Sequence, residues 1–284
     1  MPSLRQRTSP NIRSEMSKYN LRSACAVISG ASSGIGFEIA RVLCGKYGCT
    51  VIGLARNKEK LERAAELIGE NFIPFVCDVT SGSDRADLIR FIADHGFKPD
   101  ILINNAGMLP PFSHFTPEKE DELERVMELN FRAHVKMCSA FLPLLLGSDR
   151  GAIVNVASSA ALASLPGTAA YSASKSALLA FTQSLSLEYG KSLFVSAVCP
   201  GMTATELFSA HEGASVIEKF APTPEKAAKK IVRRLCRGQK KIVTGADAHL
   251  MSLGNRLFGT GALRFFAFFI KKVKLPIFKD TFYK

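Results

Sequence analysis

Along this chain, short apolar runs rich in β-branched residues alternate six times with helical patterns. The runs are "ACAVISG" (24–30), "TVIGLAR" (50–56), "FIPFVCDV" (72–79), "DILINNAG" (100–107), "AIVNVASS" (152–159) and "LFVSAVCPG" (193–201), with a final one at "KKIVTG" (240–245). Continuous apolarity, in place of alternation, marks strands buried on both faces. Parallel neighbours need crossover connections, and helices supply them. The pattern therefore predicts an α/β fold: a doubly wound parallel sheet, Rossmann-type, with helices on both faces. Ligands of such sheets bind outside the carboxyl ends of the strands, so the residues that follow each strand carry the functional reading.

With 284 residues and 47% hydrophobic content, one catalytic domain over residues 23–250 is the simplest division, with a basic arm at 1–22 and a basic, aromatic extension at 251–284. Seven cysteines are widely spaced and form no C-x-x-C or other metal-type pattern, which points to reduced core thiols and no metal. The net charge of +12 is uneven: from Lys226 onward fifteen Lys and Arg face only Asp247 and Asp280. A nucleic-acid binder would spread such charge over a recognition element, and none is visible. The first twenty residues are polar and basic and lack the apolar core of a signal peptide, so a cytoplasmic protein is expected.

After the first strand comes "SGASSGIG", with glycines at 30, 34 and 36. Gly30 permits a tight turn, Gly34 lets backbone approach a pyrophosphate, and Gly36 lets helix pack on strand. Ser32, Ser33 and Ile35 complete the turn, and the helix that follows aims its free N–H groups at the phosphates. The second strand ends in "GLARN", where an NAD site usually carries an acid for the ribose 2′-hydroxyl. Arg56 stands there instead and can bond a 2′-phosphate, with Ser33 adding a hydroxyl, so NADP(H) is favoured over NAD(H). Asp78 and Val79 follow the third strand as candidate adenine contacts. Asn105, Ala106 and Gly107 follow the fourth, where Asn can fix the loop and Gly lets the cofactor approach.

Tyr171 and Lys175 lie four apart in an Ala-rich helical run, hence side by side on one face. A free phenol has a pKa of about 10, so using the phenolate near neutrality costs about 4 kcal/mol. A neighbouring cation lowers that handicap, which makes the pair a tuned proton donor and acceptor. Ser158 ends the fifth strand, within reach of the same substrate oxygen. Asn130, a polar residue inside the helical stretch "EDELERVMELNFRAHVKMC", needs a partner or holds a water.

These motifs, in this order, resemble the short-chain dehydrogenase/reductase family over about residues 23 to 245. They stand as S-G-A-S-S-G-I-G, N-N-A-G at 104–107, Asn130, Ser158, Y-S-A-S-K at 171–175, and Pro200-Gly201 followed by Met202, Thr203 and Thr205. Ser29 replaces the family's commoner Thr. The resemblance implies that Tyr171 is the general acid of reduction and general base of oxidation, and that Ser158 polarises the substrate oxygen. It further implies that Lys175 depresses the Tyr171 pKa and bonds the nicotinamide ribose, that Asn130 anchors a relay water, and that Thr203 contacts the carboxamide. A homodimer or homotetramer is expected.

Substrate choice is expected from residues 108–116, 159–168 and 203–222, which are mostly apolar and suit a hydrophobic ketone or secondary alcohol: a steroid, a bile-acid-like compound or a fatty-chain ketone. A non-catalytic NADP(H)-binding regulator or scaffold is the alternative. The extension combines aromatics with Arg and Lys, but its longest apolar run, Phe265 to Ile270, is far too short to cross a bilayer. Two readings stay open for it: peripheral contact with an anionic membrane, or packing against the pocket or a second subunit.

Overall fold

A computed structural model describes residues 19–208, 211, 215, 219–273 and 276–282. Most of the basic arm expected over residues 1–22, and parts of the 203–222 segment, lie outside the described residues. Seven strands form one parallel sheet: β1 Cys25–Ser29, β2 Thr50–Ala55, β3 Phe72–Val76, β4 Ile101–Asn104, β5 Ala152–Val156, β6 Phe194–Pro200 and β7 Lys241–Thr244. Their order is β3-β2-β1-β4-β5-β6-β7. The chain starts at the centre, winds to one edge and then returns to build the other half. The order therefore reverses between β1 and β4, opening a crevice at their carboxyl ends. Pro74, which has no N–H to donate, sits in β3, a strand with one neighbour, where its loss of a ladder bond does least harm.

On one face α1 (Gly34–Tyr47) and α7 (Pro224–Cys236) bury Ile39, Leu43, Ile231 and Val232 against Ile28 and Val51. The opposite face is covered by α3 (Gly82–Asp94), α5 (Ala133–Leu146) and α6 (Ala169–Tyr189), which bring Leu88, Ile92, Met137 and Phe141 onto Val27, Ile52 and Leu102. Each such side chain contributes about 1.5–3 kcal/mol by leaving water, which explains why every strand of the central pair is buried on both sides. α2 (Lys58–Ile68) starts at Asn57, whose side chain accepts from the Lys60 N–H and caps the helix.

The stretch around Asn130 is not one regular helix. α4 (Glu120–Met127) passes into a π-helical turn over Glu128–Arg132 before α5 begins. A π-turn inserts an extra residue and re-aims the side chains within it, and here it points Asn130 inward, fully buried. After β7 the chain forms α8 (Ala246–Phe258), α9 (Thr260–Val273) and, beyond a short 3₁₀ turn at Pro276–Phe278, α10 (Lys279–Phe282).

Candidate active site

A cleft of about 530 Å³ opens at the carboxyl ends of the strands. One end is made by the turn after β1. Gly30 adopts φ +66°, and a side chain there would meet Asn105 Nδ2 at 2.9 Å and the Ala106 backbone at 3.0 Å. Ser32, Ser33, Gly34 and Ile35 line the cleft beside it. Ser33 is the N-cap of α1 yet makes no side-chain capping bond, and the first turn of α1 holds no acid. The helix thus presents uncapped N–H groups and its positive end to the cleft, a cradle suited to a diphosphate. Gly36 is buried behind the turn, where a Cβ would fall 2.2 Å from the Gly30 carbonyl oxygen.

The loop after β4 is fastened to this turn from both sides. The Ser29 hydroxyl accepts from the Asn105 and Ala106 N–H groups at 2.9 and 3.1 Å, and Asn105 Nδ2 donates to the Ser29 and Gly30 carbonyls. Asn104 points the other way, into the core, donating to Asn155 Oδ1, while Asn155 donates to the Thr182 hydroxyl. Gly107 completes the wall: a Cβ there would lie 3.2 Å from Asn130 Oδ1 and 3.3 Å from Lys175 Nζ. Asn130 itself accepts from the Met108 N–H at 2.8 Å and donates to the Met108 carbonyl at 2.9 Å and to Ser174 Oγ at 3.2 Å. Its amide is matched by protein, so it holds the 107–108 turn against α6 directly.

Ser158, Tyr171 and Lys175 converge on the middle of the cleft. Ser158 is placed by the end of β5, and its hydroxyl accepts from the Ala160 N–H at 3.2 Å. Tyr171 and Lys175 project from the first turns of α6. Lys175 Nζ donates to the Val156 carbonyl at 3.0 Å and sits 5.9 Å from the Tyr171 ring centroid. Burial pushes the Tyr171 phenol above its ordinary value, and the bond from the Ser158 side chain pulls it back. Burial also lowers Lys175, to about 8, with the Cys199 thiol opposing that fall. Burial is thus the larger influence on the phenol, and the Ser158 bond the opposing one, while one N–H of the Lys175 ammonium is engaged by the Val156 carbonyl. The arrangement can grip one oxygen between a hydroxyl and a protonated phenol, beside a cation whose charge is adjustable near neutrality.

Other sequence-derived candidates sit elsewhere. Arg56 and Asp78 lie outside the cleft proper, beyond the turn that cradles it, with Arg56 Nη1 4.0 Å from Asp78 Oδ2 and 70% exposed. The other Asp78 oxygen is already occupied, accepting from the Thr80 N–H and hydroxyl. Val79 is not brought to the cleft; its side chain joins the core with Leu88 and Ile92, and its carbonyl accepts from Arg85. Pro200, Gly201, Thr203 and Thr205 line the far wall, and Thr205 Cγ2 lies 3.4 Å from where a Gly34 Cβ would be.

Two participants, Asp247 and His134, escaped the sequence reading, and a third group, the carboxyl-terminal aromatics, was placed there by one of its two readings of the extension. Asp247 accepts from the Met202 N–H at 2.7 Å and fixes the loop after β6; its signal was that it is one of two acids in the strongly basic stretch from Lys226 onward. His134, wholly buried, bonds the Ala106 carbonyl through Nε2 at 2.8 Å. The carboxyl-terminal aromatics Phe266, Phe269 and Phe278 form much of the apolar end of the cleft, with Phe278 5.0 Å from Phe112 and 1% exposed. Of the two readings for the extension, pocket wall is therefore observed directly.

A family profile described as short chain dehydrogenase matches residues 24–214. The chain is 32% identical over 250 residues to the 11-beta-hydroxysteroid dehydrogenase 1A of Arabidopsis thaliana, covering 82% of this chain and 71% of that protein. It is 33% identical over 234 residues to the fatty acyl-CoA reductase of Acinetobacter baylyi, covering 80% and 78%. Among solved structures, a short chain dehydrogenase from Burkholderia cenocepacia, crystallised with NADP, superposes with a TM-score of 0.74 at 26% identity over 85% of this chain and 96% of that one. The 3-ketoacyl-(acyl-carrier-protein) reductase of Brucella melitensis, complexed with NADH, gives 0.73 at 24% identity over 80% and 99%, a likeness of fold. Sheet order, glycine turn and matched sequence agree, and the chain belongs to the short chain dehydrogenase family of oxidoreductases.

Proposed function

We propose that this protein is an NADP(H)-dependent reductase of hydrophobic ketones, working in reverse on the corresponding secondary alcohols. The observation that carries this reading is the meeting of Ser158, Tyr171 and Lys175 in one cleft, between an uncapped glycine turn and an apolar end built by Leu109, Phe112, Phe266 and Phe278. The turn fits a nicotinamide dinucleotide: Gly30, at φ +66°, lets the turn press against Asn105 and the Ala106 backbone, where a Cβ would collide, and the first turn of α1 offers N–H groups with no competing acid. When bound, such a coenzyme supplies hydride to the carbonyl carbon.

The protein's own groups do the rest. Ser158 Oγ holds the carbonyl oxygen and offsets the negative charge growing on it. Tyr171 donates the phenolic proton to that oxygen, and burial, by holding the phenol protonated near neutrality, suits it to the task. Lys175 supplies positive charge beside the phenolate left behind, with Asn130 and Ser174 fixing the backbone that surrounds it. Arg56 supports the preference for NADP(H): it is an exposed guanidinium at the end of β2, a strand end that carries no acid of its own, and its long 4.0 Å pairing with Asp78 leaves N–H groups for a 2′-phosphate. The apolar end of the cleft favours steroid-like or fatty-chain ketones over phosphorylated or charged ones. The similarity to a hydroxysteroid dehydrogenase supports the steroid-like reading, and that to a fatty acyl-CoA reductase supports a fatty chain in the apolar end.

The test is loss of NADPH absorbance against a panel of hydrophobic ketones, with NADH and with small hydrophilic ketones in parallel. Turnover of the apolar members with NADPH is expected; binding of NADPH without turnover of any ketone or alcohol would favour the regulatory alternative.

A further inference from the structure

The carboxyl-terminal hairpin has a second apolar face that the cleft does not use. α8 and α9 cross at Gly254, where the absent side chain leaves room for the Phe266 ring 3.0 Å from a would-be Cβ. Their inner sides turn Met251, Phe266 and Ile270 into the cleft. Their outer sides carry Leu253 and Leu257 on α8 and Phe265 and Phe268 on α9, spaced three or four apart, each more than half exposed. Leu250 and Phe269 are similarly exposed and also line the cleft, so these two side chains belong both to the outer face and to the cleft mouth. Large apolar side chains gathered in the open on one hairpin mark a docking face.

Charge decides between occupants. Residues 246–273 contain Arg256, Arg264, Lys271 and Lys272 against a single acid, Asp247, which is already engaged by the Met202 N–H. A second copy seated by a two-fold axis would bring this same cationic hairpin against itself. An anionic bilayer answers both features, taking the rings among its acyl chains and the cations among its headgroups. The helices cannot span it: α8 has 13 residues and α9 has 14, and among the described residues no helix is long and apolar enough to cross a membrane.

We propose that the α8–α9 hairpin docks in the interfacial layer of an anionic membrane, with Leu253, Leu257, Phe265 and Phe268 below the headgroups and the cleft mouth held at the lipid surface. Leu250 and Phe269 then flank an entry by which an apolar molecule passes from the acyl phase to the cleft without crossing water. The docking stands apart from the reductase reading, because vesicle binding and NADPH turnover are read separately.

The experiment is co-sedimentation of the full chain with vesicles of phosphatidylcholine alone or phosphatidylcholine with phosphatidylglycerol, at low and high salt. Wild type is expected to pellet with the anionic vesicles and to be released by salt. The combined variant Leu253→Gln, Leu257→Gln, Phe265→Gln, Phe268→Gln should lose at least about 100-fold in partitioning, since several apolar side chains no longer leave water. Its circular dichroism and its turnover, without vesicles, of a ketone that wild type reduces should stay at wild-type levels. A second variant, Arg256→Gln with Arg264→Gln, should lose the preference for anionic over neutral vesicles. Wild type remaining in the supernatant with both vesicles would overturn the proposal, as would a four-Gln variant that pellets like wild type. A wild-type protein that ignores vesicles, but whose sedimentation coefficient drops on the four-Gln change, would assign the face to a second copy instead.

Discussion

Lys175 spends its hydrogen bond on the Val156 carbonyl, 3.0 Å away, while lying 5.9 Å from the centroid of the Tyr171 ring. Both groups are buried, and burial disfavours charge on each: it raises the phenol and lowers the ammonium to about 8. Ketone reduction needs both protonated, Tyr171 as acid and Lys175 as cation. The sign follows: kcat/KM for reduction should be flat through neutrality and fall as pH rises through about 8, where Lys175 loses its proton. Lys175→Arg, which stays charged, should carry residual activity whose alkaline fall is displaced upward. A rate that climbs through the same range would place the controlling group elsewhere.

Arg56 separates the two coenzymes. Removing it in Arg56→Ala takes away a charge-assisted bond of about 1.5–3 kcal/mol, so kcat/KM for NADPH should fall roughly 10- to 100-fold. The value for NADH should change little or improve, as the 2′-phosphate is the only group concerned. Steady-state kinetics with both coenzymes on one ketone give the ratio, and an equal loss for both would deny Arg56 that role.

Gly36 tests the glycine turn as a packing device. A Cβ at this position would stand 2.2 Å from the Gly30 carbonyl oxygen and 2.4 Å from Asn105 Nδ2, and backbone cannot step aside cheaply. Gly36→Ala should cost about 1–3 kcal/mol of stability by overpacking and weaken coenzyme binding with it. Urea denaturation and coenzyme fluorescence titration check the two effects together.

His134 should make the fold acid-sensitive. Burial, and then the nearby Lys175 charge, push its pKa down to about 3 against the pull of its bond to Ala106. An unfolded histidine titrates near about 6.5, so between that value and about 3 the unfolded chain binds more protons. Stability therefore rises with pH across this window and is lost on acidification. His134→Gln should flatten that part of the curve, as measured by urea unfolding at a series of pH values.

What could be read from the sequence was whatever a local pattern encodes. Continuous apolar runs such as Val27-Ile28 and Leu102-Ile103 identified buried strands, and the glycines at 30, 34 and 36 announced a turn that the backbone then adopted. The meeting of Ser158 with Tyr171 and Lys175 was legible because strand end and helix start are near in sequence and fixed by the fold. Long-range details were not. Nothing local says that Glu128–Arg132 winds as a π-turn, that Asn130 spends its amide on Met108, or that Val79 faces Leu88 instead of the cleft. Phe278 reaches Phe112 across more than half the chain, and a run of aromatics after the last strand gives no sign of where it folds back. The pKa directions also depend on burial, which a four-residue spacing cannot supply.

The most direct measurement is turnover by Tyr171→Phe, which removes one hydroxyl from the cleft and little else. With NADPH and a ketone that wild type reduces, the rate should drop at least about 100-fold, the usual contribution of a placed proton donor. NADPH affinity, read by fluorescence, should remain near the wild-type value. A phenylalanine variant that still reduces the ketone at a comparable rate would contradict the assignment of Tyr171 as the acid.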